Sequence, residues 1–444
     1  MRLPLFTLLL ITLAVHADDW PQWLGPKRDA VWRESGILKR FPENGLQVLW
    51  RSPIGPGYTG PAVAGGDVIA LDRTVARDAE IPDNPYKRGS ISGTERIRCY
   101  DEATGELRWQ HEYDRAYTMS HPKGPRATPI IDGRHVYTLG AEGDLFCLNR
   151  KNGKVVWHHR FGSAFGAKTP TWGFSAHPLL DDDRLICTVG GAGSAVVAFD
   201  KLTGKEIWRT GTTKDIGYAP PVIYQAGGRR QLIVWLIDAI HSLDPVSGDT
   251  YWKHPWKVRG GGNIAMPRKL GDKLFLSTFF NGSLMLRLDA TQPAVTTLWQ
   301  SPKITTKDTI YLHALNTVPL LADGHIYGVC NYGQFRCLRI ADGERRWESL
   351  APLSLKRPRR NATAFIVKHE DRCFIATDSG DLVIARLQPD GYTEVDRTRL
   401  IEPTDRDGTR PVIWAHPAFA NRRIYARNDR EILCASLAAA SEPD

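Results

Sequence analysis

Short runs of alternating apolar and polar residues fill this chain, and they recur in a fixed arrangement. Residues 95–109 (ERIRCYDEATGELRW) show it best: one alternating run over 96–100, a polar turn over 101–105, and a second run that ends on Trp109. Alternation with a period of two predicts β-strands with one buried face. Asp, Thr and Gly between the runs favour a tight turn. The unit therefore predicts two adjacent antiparallel strands.

The same unit returns along nearly the whole chain and ends on tryptophan each time. Copies end at Trp109, Trp157, Trp208, Trp252, Trp299 and Trp347. These tryptophans are 48, 51, 44, 47 and 48 residues apart. A repeat of this length with strand signals inside each unit is typical of a β-propeller.

A glycine stands four residues before most of these tryptophans and follows a turn-forming residue. Glycine adopts a positive φ at little cost, so the position indicates a turn between the third and fourth strands of a blade. Trp50 has the same register although no third strand precedes it. We predict that the tryptophans form a ring of apolar anchors between blades. Its members are Trp50, Trp109, Trp157, Trp208, Trp252, Trp299 and Trp347.

The chain contains eight segments that begin a blade but only seven fourth strands after them. The last start continues into residues 431–437, close to the end of the chain, and the unpaired strand around Trp50 supplies the missing partner. We therefore predict an all-β fold, an eight-bladed propeller of four-stranded antiparallel blades. Pairing of the N- and C-terminal strands in the last blade would leave the ring without an open edge.

The first residues have the pattern of an export signal. Arg2 precedes an apolar run over residues 3–14, and residues 15–17 fit a cleavage site. About twelve apolar residues are too few to span a bilayer. No cysteine precedes Cys99, so no lipid-attachment cysteine is predicted. We expect an exported, soluble monomer in the periplasm or outside the cell, and not a lipoprotein.

Four segments follow from these patterns. They are a signal peptide over residues 1–17, an N-terminal strap over 18–45, the propeller over 46–438 and a C-terminal tail over 439–444. Trp20, Trp23 and Trp32 lie in the strap, and we expect them to pack on the propeller rather than form a ligand site. An insertion over residues 73–94 separates the second and third strands of blade one. Its composition predicts an exposed loop, and such loops often carry function.

Composition is that of an ordinary soluble protein, with 42% hydrophobic and 24% charged residues. The net charge is +9, and residues 356–360 (KRPRR) form the one dense basic run. No aromatic residues alternate with it, so we favour a solvated loop over a polyanion site and expect no nucleic-acid partner. Four of the seven cysteines share one register of the third strand, which indicates small core residues. A disulfide between Cys330 and Cys337 is the alternative.

The links from the outer strand of one blade to the inner strand of the next are expected to cross one rim beside the channel. Alignment of the eight starts places a first ring of residues there: Tyr58, Arg126, Ser175, Tyr218, Ile264, Asn316, Asn361 and Trp414. Two residues further in comes a second ring: Gly60, Thr128, His177, Pro220, Met266, Val318, Thr363 and His416. Residues i and i+2 of a strand share a face, so both rings should surround the same opening.

These rings combine arginine, histidine, amide and aromatic side chains, which is typical of a small-molecule pocket. The predicted ligand-binding residues are Tyr58, Arg126, His177, Tyr218, Asn316, Asn361, Trp414 and His416. A polar channel mouth that only satisfies loop backbone and water is the alternative. No nucleotide, nucleophile-elbow or zinc-protease motif occurs, and His177, His313 and His416 lack ligand spacing. No catalytic residue and no metal ligand is predicted.

The D-x-x-T-G-x-x-x-W repeat resembles that of the pyrroloquinoline-quinone (PQQ) repeat propellers. The segments DDWPQWLGP, GPRATPIIDGRHVYTLGAEGDLFCLN and GFSAHPLL are similar to the PQQ-like repeat proteins abundant in planctomycete-type bacteria. The resemblance implies one of two classes. Quinoprotein dehydrogenases clamp PQQ with a tryptophan and a vicinal disulfide and hold calcium with Glu, Asn and Asp. The propeller lipoprotein of the barrel-assembly machinery is a non-catalytic scaffold.

This chain has no adjacent cysteine pair, so the quinone clamp is missing. The leading hypothesis is an exported, non-enzymatic propeller without a cofactor. It would bind a protein partner, or a small molecule such as an anionic sugar, at its rim. The alternative hypothesis is a PQQ- and calcium-dependent sugar or alcohol oxidoreductase with an atypical pocket.

Overall fold

The computed structural model describes residues 18–440, except for 81, 83, 85 and 303–308. The predicted signal peptide and the last four residues of the predicted tail lie outside this range. The described strands form eight four-stranded antiparallel sheets that follow one another around a channel. The predicted all-β, eight-bladed propeller is confirmed.

The first seven blades are meanders of four consecutive strands, numbered here from the channel outward. Blade one comprises Ala62–Ala64, Asp67–Val75, Gly93–Asp101 and Leu107–Asp114; blade two Ile130–Asp132, His135–Leu139, Asp144–Asn149 and Val155–Arg160. Blade three comprises Leu179–Asp181, Arg184–Thr188, Val196–Asp200 and Glu206–Thr210; blade four Val222–Ala226, Arg229–Trp235, Ala239–Leu243 and Thr250–Pro255. Blade five comprises Arg268–Leu270, Lys273–Thr278, Gly282–Leu288 and Val295–Gln300; blade six Leu320–Ala322, His325–Val329, Phe335–Arg339 and Arg345–Ser349; and blade seven Ala364–His369, Arg372–Thr377, Asp381–Gln388 and Gly391–Arg399.

Blade eight is built from both ends of the chain, as predicted. Ala418–Ala420, Arg423–Arg427 and Glu431–Ser436 supply its first three strands, and Val48–Pro53 is its outer strand. Trp50 lies opposite Cys434 in this pairing. The N-terminal strand thereby covers the outer edge of the last blade, which closes the ring.

The remaining regular elements lie in the links between blades. They are the short helix Phe161–Phe165, the 3₁₀ turns Arg259–Gly261 and Ala351–Leu353, and the hairpin Asp405–Asp407 with Arg410–Val412. Within the part of the chain that the structure describes, no helix has the length and apolar character needed to cross a bilayer.

Five of the seven repeat tryptophans pack across a blade boundary onto a turn glycine. Trp109 of blade one donates its indole N–H to the carbonyl of Arg150 in blade two, at 2.7 Å. Gly153 lies beneath the ring with φ +70°, and a Cβ there would stand 2.5 Å from an indole carbon. The glycine is therefore required both by its backbone conformation and by lack of space. The other stacked pairs are Trp50 with Gly105, Trp157 with Gly204, Trp208 with Gly248 and Trp299 with Gly343.

Trp252 and Trp347 are the exceptions to this arrangement. Trp347 donates to the Gln388 carbonyl of blade seven at 2.8 Å, but a Cβ at Gly391 of the facing turn would meet nothing within 4 Å. For Trp252, the facing turn of blade five, residues 289–293, contains no glycine. The Trp252 indole N–H instead donates to Gln231 Oε1 of its own blade, at 2.8 Å. Trp252 thus keeps the tryptophan register, but its indole hydrogen bond is made to its own blade and not to the next one.

Four of the seven cysteines occupy core positions opposite this tryptophan register. Cys99 pairs with Trp109, Cys147 with Trp157 and Cys337 with Trp347 across the third and fourth strands. Ala198 and Ser242 take the same position in blades three and four. All seven cysteines lie within the described residues, are buried and form no disulfide. Blade five has Met285 at this position, opposite Trp299, so the position needs a buried uncharged side chain but no thiol.

This arrangement predicts the result of a thiol titration. The denatured, unreduced protein should show seven reactive thiols, because every sulfur is free. The native protein at pH 8 should react slowly, since burial raises the pKa of Cys147, Cys373 and Cys434 to about 12. Timed reaction with a chromogenic disulfide, with and without denaturant, measures both numbers. A denatured count of five or fewer would indicate a disulfide.

The strap, residues 18–45, crosses the face of the ring opposite the links. Trp20 exchanges two backbone hydrogen bonds with Val63 of blade one, and the Trp32 N–H donates to the Lys368 carbonyl of blade seven at 2.8 Å. Arg28 is buried between them and donates to the carbonyls of Pro178 and Pro221. The strap thus holds inner strands on several sides of the channel.

Candidate functional site

The structure brings all eight residues of the predicted first ring to one cavity at the link side of the channel. This mouth cavity has a volume of about 250 Å³. First-ring residues in its wall are Tyr58, Arg126, Ser175, Tyr218, Ile264, Asn316, Asn361 and Trp414. The register argument therefore predicted this layer of side chains correctly, although it did not identify a ligand.

Only half of the second ring reaches the same cavity. His177, Pro220, Val318 and His416 line its lower wall. Gly60 and Thr128 border a much smaller void beneath it, together with Val318 and His416. The two remaining members, Met266 and Thr363, are buried and do not line the cavity. The expectation that both complete rings share one opening was wrong.

The physical reason is a side chain from the strap. Trp23 enters the channel and stacks on His177, with ring centroids 4.2 Å apart and an interplanar angle of 8°. It also meets the edge of His416 at 5.8 Å. Trp23 is almost completely buried and forms the floor of the mouth cavity. The deeper ring residues therefore surround this tryptophan rather than open space.

Other lining residues come from segments outside the repeat. Tyr86 lies in the blade-one insertion and Arg360 in the basic run. The links add His121 and Trp172, and turns and links of blades five and six add Phe279, Phe280, Ala265, Leu315 and Thr317. The sequence had marked the insertion and the basic run as unusual, but no periodic signal placed them at this opening.

Aromatic rings make up much of the cavity wall. Trp172 and Tyr218 lie with their centroids 5.3 Å apart, and Tyr58 and Trp414 are 6.1 Å apart on another side. Tyr86 meets His121 edge to face at 4.7 Å and is half exposed at the opening. Such walls offer large, rigid apolar surfaces with a few polar atoms at their edges.

Arg126 organises its own link as well as facing the cavity. Its guanidinium donates to the carbonyls of Gly124 at 2.7 Å and His121 at 2.6 Å. It lies 5.1 Å from the Tyr58 ring centroid, a cation–π contact. No carboxylate among the described residues forms an ion pair with Arg126, so its positive charge is carried into the cavity wall.

The cavity histidines are neutral at ordinary pH. Desolvation lowers the pKa of His416 to about 3. The pKa of His177 is also well below its usual value, because of burial first and then the neighbouring Arg28 and His416. The Thr128 N–H donates to His177 Nδ1 at 2.9 Å, which places the ring proton on Nε2. The charge of this cavity therefore comes from its arginines.

The residues present do not fit the calcium and quinone pair of the quinoprotein dehydrogenases. Calcium is held by several oxygens, carboxylates foremost. Among the described residues that line the cavity there is no Asp or Glu, and the described chain has no cluster of three His, Cys, Asp or Glu side chains suited to a metal. The adjacent cysteine pair is also missing from the sequence.

Sequence comparison relates this chain to one family. A family model described as outer membrane protein assembly factor BamB (PQQ_2) matches residues 93–349 and 237–442. The BamB of Burkholderia pseudomallei is 25% identical over 271 residues, which cover 58% of this chain and 65% of that protein. The chain thus spans slightly less than two thirds of the length of this curated relative.

Two solved structures share the fold. BamB from Moraxella catarrhalis superposes with a TM-score of 0.58 at 15% identity, covering 88% of this chain and 99% of that one. The quinohemoprotein alcohol dehydrogenase from Comamonas testosteroni gives a TM-score of 0.59 at 11% identity, covering 96% and 82% of the two chains. At these identities the likeness shows the propeller fold alone.

Proposed function

Because this chain belongs to the family described as outer membrane protein assembly factor BamB, we propose that it is a non-enzymatic scaffold. In this proposal it binds a protein partner at the mouth of its channel and contributes to outer membrane protein assembly. It acts outside the cytoplasm, in agreement with the export signal expected over residues 1–17.

One structural observation supports the mouth cavity as the binding site. Links from all eight blades converge on the mouth cavity, and Trp23 of the strap closes its floor. The result is a recess with aromatic walls and arginines at its side, open toward the links. A recess with large apolar surfaces and few polar anchors is suited to holding a side chain of a partner.

The proposal is tested by cross-linking from defined positions. A photoreactive phenylalanine replaces Tyr86 or Arg360, both exposed at the opening. We expect these two positions to form covalent adducts with a discrete protein partner in cells of the source organism. The readout is the set of adduct bands on immunoblots, identified by mass spectrometry.

Matched control positions lie elsewhere on the molecule. Arg134 is exposed in a turn between first and second strands, on the strap side, and Val156 is 46% exposed on the outer strand of blade two. Photoreactive residues there should give no comparable adduct. Adducts confined to position 134 or 156 would place the partner on another surface and reject the mouth as the binding site.

A further inference from the structure

Two tryptophans that line the mouth cavity carry indole donors without a partner in the protein. Within the described residues, the indole nitrogens of Trp23 and Trp414 are buried without a hydrogen-bond acceptor. His177 adds an N–H at Nε2, because its Nδ1 already accepts from the Thr128 backbone. A buried donor without an acceptor is unfavourable. These atoms therefore favour a ligand that brings acceptor oxygens.

Charged acceptors for a ligand's own hydrogens are absent from the described lining residues, which include no carboxylate. Asn361 donates from Nδ2 to Asp407 at 3.4 Å, so its amide offers the cavity only its neutral oxygen. A sugar brings several hydroxyls, each of which needs an acceptor as well as a donor. A carboxylate needs donors only. The chemistry of the wall therefore favours a carboxylate attached to an apolar body over a saccharide.

The surface around the opening is cationic well beyond the cavity. Exposed lysines and arginines on the links and the insertion form no salt bridge with any described residue: Lys87, Lys168, Lys214, Lys257, Arg259, Lys356, Arg357, Arg359 and Arg360. Four carboxylates on the links and the insertion, Asp78, Glu80, Glu142 and Asp215, form no salt bridge with a described residue, and these nine cations outnumber them. Others are paired. Asp405 contacts Lys123, and Asp378 binds Arg410 at 2.6 Å. An unpaired cationic rim attracts an extended anion.

From these observations we propose that the mouth cavity binds an acidic peptide segment. One large apolar side chain of the segment enters between the aromatic walls, a carboxylate next to it accepts from the indole and guanidinium donors, and flanking acidic residues lie over the cationic rim. This inference rests on the proposed protein-binding function and specifies the chemistry of the partner.

The probe is a phage-displayed library of random dodecapeptides selected on the immobilised full chain. We expect enrichment of sequences in which Asp or Glu flank a single aromatic or large aliphatic residue. A synthetic copy of a selected peptide should lose at least tenfold in affinity when its acidic residues become amides, or when its apolar residue becomes glycine. Fluorescence anisotropy at two salt concentrations measures these changes, and binding should weaken as salt rises.

Charge-matched variants locate the site. Arg360→Ala should weaken the selected peptide about five- to tenfold, whereas Arg134→Ala, on the opposite face, should not change its affinity. Enrichment of neutral or basic peptides, or equal loss in both variants, overturns the inference. So does a polyuronate of equal charge that binds as tightly as the peptide. If cross-links form at positions 86 and 360 while the selected peptides are not acidic, the proposed function stands and only the partner chemistry fails.

Discussion

A variant that lacks residues 18–53 should fail to fold to a monomer. Val48–Pro53 covers Glu431–Ser436, whose residues Ile432, Leu433 and Cys434 have no exposed surface. Its removal exposes an apolar strand edge that pairs readily with other chains. The same deletion removes Trp20, Trp23 and Trp32. Loss of one buried tryptophan typically costs about 3–5 kcal/mol. The loss of three therefore approaches or exceeds the free energy of unfolding of a typical domain.

The control keeps the strand but changes its exposed face. Val48 and Leu49 are 37% and 38% exposed on the same strand. Replacing both with alanine should change the free energy of unfolding by no more than about 0.5 kcal/mol each. Size-exclusion chromatography and thermal melting compare the variants. A monomeric truncated chain with the melting temperature of the intact protein would show that the last blade does not depend on its N-terminal strand.

Gly204→Ala should destabilise the protein by much more than Gly133→Ala. Both glycines have positive φ, at +72° and +53°, so either substitution incurs about 1–2 kcal/mol of backbone strain. The two positions differ in space. A Cβ at Gly204 would lie 2.7 Å from an atom of the Trp157 indole, whereas a Cβ at Gly133 meets nothing within 4 Å. Displacing the tryptophan adds about 1–3 kcal/mol at Gly204 alone.

Chemical denaturation of the two variants measures this difference directly. Equal loss of stability at both positions would mean that the turn needs only the glycine conformation and that the tryptophan contact contributes little. A larger loss at Gly204 would assign the repeat's glycine and tryptophan to one packing unit.

The repeat made the fold predictable because it records local chemistry. The turn glycine and the tryptophan four residues after it recur along the sequence, as at Gly153 and Trp157. Counting blade starts then revealed that the strand around Trp50 had no partner before it. The space beneath the indole was not predictable, because the glycine contacts the tryptophan of the preceding blade, as Gly153 contacts Trp109.

The candidate site was predictable only where it follows the repeat. Tyr58, Tyr218 and Trp414 occupy the same position of the repeat, so alignment of the repeats predicted that they surround one opening, where the structure places them. Trp23, Tyr86 and Arg360 belong to the strap, the insertion and one link, and each occurs once. Their positions depend on how single segments cross the ring, which no periodicity encodes. Arg126 was expected in the wall, but not as the residue that holds its own link carbonyls.

The strap also determines when folding can be completed. Trp32 accepts a hydrogen bond from His369, 337 residues later in the chain, and Leu38 pairs with Leu437 near its far end. Neighbouring strands of the middle blades need only short-range contacts, whereas these pairings require nearly the entire chain. We therefore expect the tryptophans of the strap to lack their final contacts until the last blade has been synthesised. If synthesis stops within blade eight, only C-terminal residues are missing, yet the N-terminal strand and the strap also lose their partners and the ring stays open.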